Sequence, residues 1–234
     1  MHSRTHDHIL QLLSRYQRVK KPIMIDYGCG NGALLEIVNP VKLKSYHGYD
    51  VNQHSLRALT TRFPHRHIFS HLVNKKQLLR LGKTNSIDAV VSVGVLQYLS
   101  DHELKILFKE IRRVLKQKGI LVFSCAHDHW LYKVINFTGL FLPNRYFTKS
   151  ELSQLLEKNH LTLKYLRARG PLLNPLFSYF GVFGFDALDK LLFSTKGVIG
   201  PIGSWARRIC QPLLAAELDL NLDIGYTLFV VATK

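Results

Sequence analysis

The sequence predicts an α/β domain built on a parallel, doubly wound sheet, and three observations predict it. Short apolar runs alternate with amphipathic helical segments along most of the chain. The clearest run, "SIDAVVSVGVL", is apolar almost throughout from Ile87 to Val93, as a strand buried on both faces must be. And the run "KPIMIDY" passes through three closely spaced glycines directly into a helical segment.

The elements follow in order. Ile9, Leu12, Leu13 and Tyr16 recur at helical spacing within residues 6–17, which predicts an opening amphipathic helix. "KPIMIDY" is a buried strand, and "ALLEIV" a helix that stops before Pro40. "SYHGYD" is a second strand, and Asn52 caps the helix "NQHSLRALTTRF". "HIFS" is a third strand, and "NKKQLLRL" a short helix ended by Gly82. After the central strand comes the helix "SDHELKILFKEIRRVL". There Ser100 and Glu103 form a capping box, and Leu104, Leu107, Ile111 and Leu115 form the apolar stripe. "GILVFS" is a fifth strand. Thr148 and Glu151 repeat the capping signal at the head of "TKSELSQLLEKN", which "LTLKYLRA" and finally "YTLFVVATK" follow as strands.

Residues 1–234 are expected to form one domain, with 170–220 as a helical insertion or lid before the last strand. That insertion is rich in Phe, Leu, Gly and Pro, and Phe185, Leu188 and Leu192 give it an apolar helical face.

Composition narrows the class. A hydrophobic content of 47% suits a folded protein with a sizeable core. Lys and Arg number 32 against 16 Asp and Glu, a net charge of +16. Such a balance favours polyanions, whether nucleic acid, anionic lipid or acidic metabolites, and equally describes a generally solvated surface. Cys29, Cys125 and Cys210 form no C-x-x-C pair, so a disulfide framework or zinc ribbon is not indicated and a reducing cytoplasm is expected. The first residues lack the apolar core of a signal peptide, and no apolar run reaches the length of a spanning helix.

The glycine turn "MIDYGCGNG" carries the chemistry. A strand, a glycine turn and a helix start bring backbone N–H groups to a ligand, and glycine permits close approach and positive φ. Gly28, Gly30 and Ala33 also satisfy the dinucleotide pattern G-x-G-x-x-G/A. Asp26 argues against a dinucleotide, because a carboxylate two residues before Gly28 repels a pyrophosphate and attracts an ammonium or sulfonium. S-adenosylmethionine offers both cations and no phosphate. Asp50 ends the second strand eighteen residues after Gly32, close to the ~20-residue spacing at which a carboxylate meets ribose hydroxyls in such domains. Taken singly, Asp26 also reads as a loop cap and Asp50 as a helix N-terminal charge.

With "IDYGCGNG", "GYD", "SIDAVVSVGVLQYLSD" and "IRRVLKQKGILVFS" in this order and spacing, the chain resembles the class I S-adenosylmethionine-dependent methyltransferases over about residues 5–168 and 225–234. The resemblance implies a Rossmann-like sheet of seven strands with an antiparallel last strand. It implies that Gly28, Gly30 and Gly32 contact the methionine portion of the cofactor and that Asp50 holds its ribose. Val51 would pack on adenine, Ser70 or His71 would stand where many relatives have an acid, and Val93 would line the cofactor site.

Methyl transfer from a sulfonium releases a neutral thioether, so alignment and desolvation do most of the work. A base is needed only where the acceptor must lose a proton early. Acceptor-side candidates lie past the fourth and fifth strands, where open α/β sheets bind ligands. They are Gln97 and Tyr98 in "VLQYL", with Leu96 and Leu99 as core, and His127, Asp128, His129 and Trp130 in "CAHDHW". His127 or His129 could act as base for a hydroxyl; the alternative is a polar loop. No Asn/Asp-Pro-Pro-aromatic motif occurs here, which argues against amino groups of DNA bases. H-x-H and "HDH" lack further ligands at metal spacing, so no metal is expected.

The apolar insertion, beside Arg207 and Arg208, points to a small, apolar or lipid-linked acceptor and to peripheral contact with an anionic membrane. An RNA methyltransferase using the basic surface is the alternative, although the basic residues are scattered. A non-catalytic binding protein and a nicotinamide oxidoreductase are weaker alternatives.

Overall fold

The structure is a computed structural model, and it describes residues 4–74, 79–129, 145–169, 223 and 225–234. Its elements are α1 (Arg4–Tyr16), β1 (Ile23–Tyr27), α2 (Ala33–Val38), β2 (Ser45–Asp50), α3 (Gln53–Arg62), β3 (Ile68–Leu72), β4 (Ile87–Val93), α4 (Asp101–Val114), β5 (Leu115–Ala126), α5 (Lys149–Lys158), β6 (Thr162–Arg169) and β7 (Thr227–Thr233). Single 3-10 turns stand at Pro40–Lys42 and Leu96–Tyr98. Half of the expected helix "NKKQLLRL", residues 75–78, lies outside those described, and its tail at 79–81 is not helical. The expected insertion at 170–220 lies wholly outside the described residues.

The seven strands form one sheet in the order β3-β2-β1-β4-β5-β7-β6. β3, β2, β1, β4 and β5 pair in parallel, and β7 runs antiparallel. β1 lies between β2 and β4, with Asp26 level with Gly48 on one side and Val91 on the other. The chain order reverses at β1, which makes its carboxyl end the switch point where such sheets bind ligands.

Burial explains the placement. Ile25, Ala89, Val90, Val91, Leu121 and Val122 have no exposed surface, which accounts for the unbroken apolar runs of the central strands. α1 adds Ile9, Leu12 and Leu13 to a core that also holds Leu34, Leu35, Leu56 and Leu59. Each buried Leu or Ile contributes roughly 1.5–3 kcal/mol relative to exposure.

Helix starts are fixed by side chains. The Asn52 carboxamide accepts from the amides of His54 and Ser55. Ser100 with Glu103, and Thr148 with Glu151, close full capping boxes, each worth about 1 kcal/mol. The first fixes the chain leaving β4 just beyond the cofactor edge.

Two compact units divide the chain. The first comprises Met1–Ala126, Pro143–Arg167 and Leu228–Lys234; the second comprises His127–Leu142 and Ala168–Thr227. The glycine turn and every strand but the ends of β6 and β7 belong to the first.

Candidate active site

The turn after β1 folds its amides inward. The N–H groups of Gly28 and Cys29 both donate to the Tyr49 carbonyl, at 2.7 and 3.1 Å, and Gly32 donates to the Cys29 carbonyl at 3.0 Å. Gly30 N–H donates to Asp50 Oδ2 at 2.8 Å. A phosphate cradle needs several such donors aimed at the ligand, and here four are committed to the protein itself.

The three glycines have different reasons. All sit at positive φ: 83° at Gly28, 52° at Gly30 and 87° at Gly32. A Cβ on Gly28 would lie 2.1 Å from Val95 Cγ2, and one on Gly32 would lie 2.9 Å from the Phe63 ring. A Cβ on Gly30 would meet nothing within 4 Å among the described residues. Gly30 is thus the glycine that borders open space, while Gly28 and Gly32 are required by packing on Val95 and α3.

Asp50, half-buried at the end of β2, ties the turn to α3. Its Oδ2 holds Gly30 and its Oδ1 accepts the Asn52 amide at 2.8 Å. Each carboxylate oxygen has a further lone pair, so the group can still accept from a diol. Val51, 58% exposed, follows it, and Leu72, 54% exposed, is its partner across the β2–β3 register. These two residues put an apolar surface beside the carboxylate.

Asp26 takes a different place from the one its sequence position suggested. Only 2% exposed, it accepts the Tyr46 hydroxyl at 2.7 Å. Burial pushes its pKa up to about 7; the Tyr46 bond opposes this, and the nearby Asp50 charge adds to it. Asp26 is therefore a buried acid near half-ionisation at neutral pH, not a fully charged group on the ligand surface. Burial likewise pushes up the Cys29 thiol and the Tyr46 hydroxyl.

On β3, Ser70 is exposed and level with Gly48. His71 is a correction. Its ring stacks on Tyr49 at 4.4 Å and on His47 at 5.5 Å, with His47 Nδ1 and His71 Nε2 3.2 Å apart. Strand alternation turns this stack to the face opposite Asp50, so Leu72 and not His71 stands beside the carboxylate. Val93, at the end of β4, is partly buried against the core.

Beyond β4, Leu96 is buried and Leu99 half-buried. Tyr98 is 54% exposed. Gln97 Oε1 is buried and has no hydrogen-bond partner among the described residues. An orphaned buried acceptor costs about 1–3 kcal/mol, so Gln97 is poised to receive a donor.

His127 and His129 lie in the second unit. His127 is 8% exposed; its amide donates to the Tyr226 carbonyl at 2.9 Å, and its Nδ1 is 2.7 Å from the Gly225 carbonyl. A carbonyl only accepts, so Nδ1 carries the proton in the neutral ring and Nε2 is the basic nitrogen. The His129 ring is 5.6 Å from it. Trp130 lies outside the described residues. Among the described residues no group of three potential ligands could hold a metal ion.

Sequence reasoning missed Gly48, Val95, Tyr46 and Leu72. The "HGYD" segment held one signal: a Cβ on Gly48 would lie 2.8 Å from Cys29 Sγ, so this glycine lets the turn pack on β2.

The chain was then compared with known proteins. Residues 25–123 match the family model described as a methyltransferase domain. No curated protein matches the sequence. Among solved structures, an S-adenosylmethionine-dependent methyltransferase from Mesorhizobium loti superposes with a TM-score of 0.66 at 18% identity, covering 98% of each chain. Geranyl diphosphate C-methyltransferase from Streptomyces coelicolor, crystallised with its substrate and S-adenosyl-L-homocysteine, gives 0.61 at 15% identity, over 98% of this chain and 81% of that one. A complex of the Haloferax volcanii Trm112 methyltransferase activator with a methyltransferase gives 0.65 at 15%, over 99% and 89%. At these identities the likeness is one of fold.

Fold and matched domain together define an S-adenosylmethionine-dependent methyl-transferring enzyme. Residues 25–123 match the methyltransferase domain, and the fold that carries them is that of the class I S-adenosylmethionine-dependent methyltransferases. S-adenosylmethionine is the cofactor of that family. The residues present fit it: inward-turned amides leave no phosphate cradle, Gly30 borders free space, and Asp50 keeps acceptor capacity beside apolar Val51 and Leu72.

Proposed function

We propose that the enzyme methylates a small, largely apolar acceptor that presents a hydrogen-bond donor. The observation that carries this is Gln97 Oε1, buried and without a partner, on the 3-10 turn that also exposes Tyr98. An N–H or O–H on the acceptor would satisfy Gln97, and the Tyr98 ring would cover its apolar body.

In this account Asp50 accepts from the ribose, Val51 and Leu72 flank the adenine, and Gly30 leaves room for the methionine portion. Ser70 and Val93 stand near the rim of the same crevice. When bound, the sulfonium supplies an activated methyl group and leaves as a neutral thioether. The chain's own contribution is to fix the turn through Asp50, to exclude water, and to align the acceptor. Where the acceptor is a hydroxyl, His127 or His129 is the candidate base.

An RNA acceptor is less well supported. The described segments that follow the first five strands, "YGCGNG", "DVN", "LVN", "VGVLQYLS" and "AHDH", contain no Lys or Arg, so nothing in them holds a phosphate backbone. A lipid-linked acceptor and membrane contact through 170–220 rest on composition alone.

The test is transfer of labelled methyl from S-adenosylmethionine into fractionated extracts. Label in low-mass, organic-extractable products supports the proposal. Label confined to RNA would overturn it.

A further inference from the structure

The missing cations lie at the other edge of the sheet. The connections entering β1 to β4 are "QRVKKP" (17–22), "NPVKLK" (39–44), "PHRH" (64–67) and "GKTNS" (82–86), and β5 opens on "LKQKG" (115–119). Each carries Lys or Arg, and none carries Asp or Glu. Backbone bonds set them side by side. Lys44 N–H donates to the Pro22 carbonyl, Tyr46 N–H to His67, Ser86 N–H to Val114 and Lys118 N–H to Lys234. Asp88, near the start of β4, is buried and already holds the Ile23 amide and Lys116 Nζ, both at 2.8 Å. The exposed lysines at 20, 21, 42, 44, 83 and 118 have no ion pair among the described residues.

We propose that this edge, opposite the cofactor crevice, docks the enzyme on an anionic phospholipid surface. Neighbouring strands lie about 4.8 Å apart, so the row extends over about 19 Å in one line, a shape that suits a planar surface. Lysine dominates it, and lysine is a point charge suited to a diffuse field; phosphate-backbone recognition favours the planar fork of arginine. RNA binding also draws on exposed rings for base stacking. Here the rings are His65 and His67, stacked on each other 5.6 Å apart. The exposed large apolar residues at this edge are instead Val19 and Val41, 45% and 67% exposed, each followed directly by a lysine, Lys20 and Lys42, able to hold it at a headgroup boundary. Docked this way, the carboxyl edge of the sheet faces away from the bilayer. The test is independent of the acceptor's identity.

The experiment is flotation of the full chain with phosphatidylcholine vesicles, with and without phosphatidylglycerol, at low and high salt. Binding is expected only with phosphatidylglycerol and is expected to be released by salt. The variant K20E/K21E/K42E/K44E should lose at least about tenfold in vesicle partitioning. It should keep its affinity for S-adenosylhomocysteine, which shows that it is folded. The proposal is overturned if the protein ignores anionic vesicles, if the variant floats as well as the parent, or if RNA binds at the same salt while vesicles do not.

Discussion

Asp50 Oδ2 accepts the Gly30 amide proton at 2.8 Å, so the carboxylate at the end of one strand holds the glycine turn at the end of its neighbour. The residue that shapes the turn is also the one placed to meet a ribose. Asp50→Ala removes the acceptor for two backbone amides and for the ligand. Affinity for S-adenosylhomocysteine should fall by about 1–3 kcal/mol, measured by calorimetry. Asp50→Asn keeps one acceptor oxygen and should fall between the two.

Gly28 and Gly30 should separate stability from binding. Gly28→Ala drives a methyl group into Val95 and imposes a left-handed conformation on alanine, so a loss of about 2–4 kcal/mol is expected in urea unfolding. Gly30→Ala carries only the conformational cost, about 1–2 kcal/mol, because its Cβ enters open space. Its larger effect should be on ligand affinity. Equal destabilisation with unaltered binding in both variants would contradict the assignment.

Asp26 gives a pH dependence of definite sign. Its pKa is about 7 in the fold against an ordinary 3.8. Below about pH 4 both folded and unfolded chains hold the proton, and the fold keeps its full stability. Between about pH 4 and pH 7 the unfolded chain releases the proton while the fold retains it, so stability falls as pH rises, by roughly 4 kcal/mol in all. Above pH 7 both states are ionised and the loss is complete. Asp26→Asn should flatten this slope, read from urea midpoints at pH 5 and pH 8. Tyr46→Phe removes the bond that favours the carboxylate and should extend the slope to higher pH.

Gln97→Leu tests the acceptor side. Removing a buried acceptor that has no partner should leave the melting temperature unchanged or raised. Methyl transfer should fall through a higher KM for the acceptor. A lower melting temperature with unchanged KM would assign Gln97 to the fold instead.

Much of this was legible in the sequence because it is local. Ser100 with Glu103, Thr148 with Glu151, and Asn52 each announce a helix start by spacing alone, and the runs at 23–27 and 87–93 announce buried strands by composition. The place of Asp50 at the end of β2, beside the glycine turn, was legible because strand ends and glycine turns keep a near-constant spacing. What escaped depends on register across strands. That Leu72 lies level with Asp50, that His71 turns away to stack on Tyr49, and that Tyr46 donates its hydroxyl to a buried Asp26 all follow from strand pairing, which no single segment encodes. The basic edge escaped for the same reason: its lysines are scattered along the chain and align only when the strands do.

The most direct measurement is a calorimetric titration of the purified chain with S-adenosylhomocysteine and, separately, with NAD. One-to-one binding of the adenosyl ligand that Asp50→Ala weakens, with no heat from NAD, is the predicted result. Binding of NAD with indifference to the adenosyl ligand would contradict the placement of a phosphate-free cofactor on the inward-turned glycine loop.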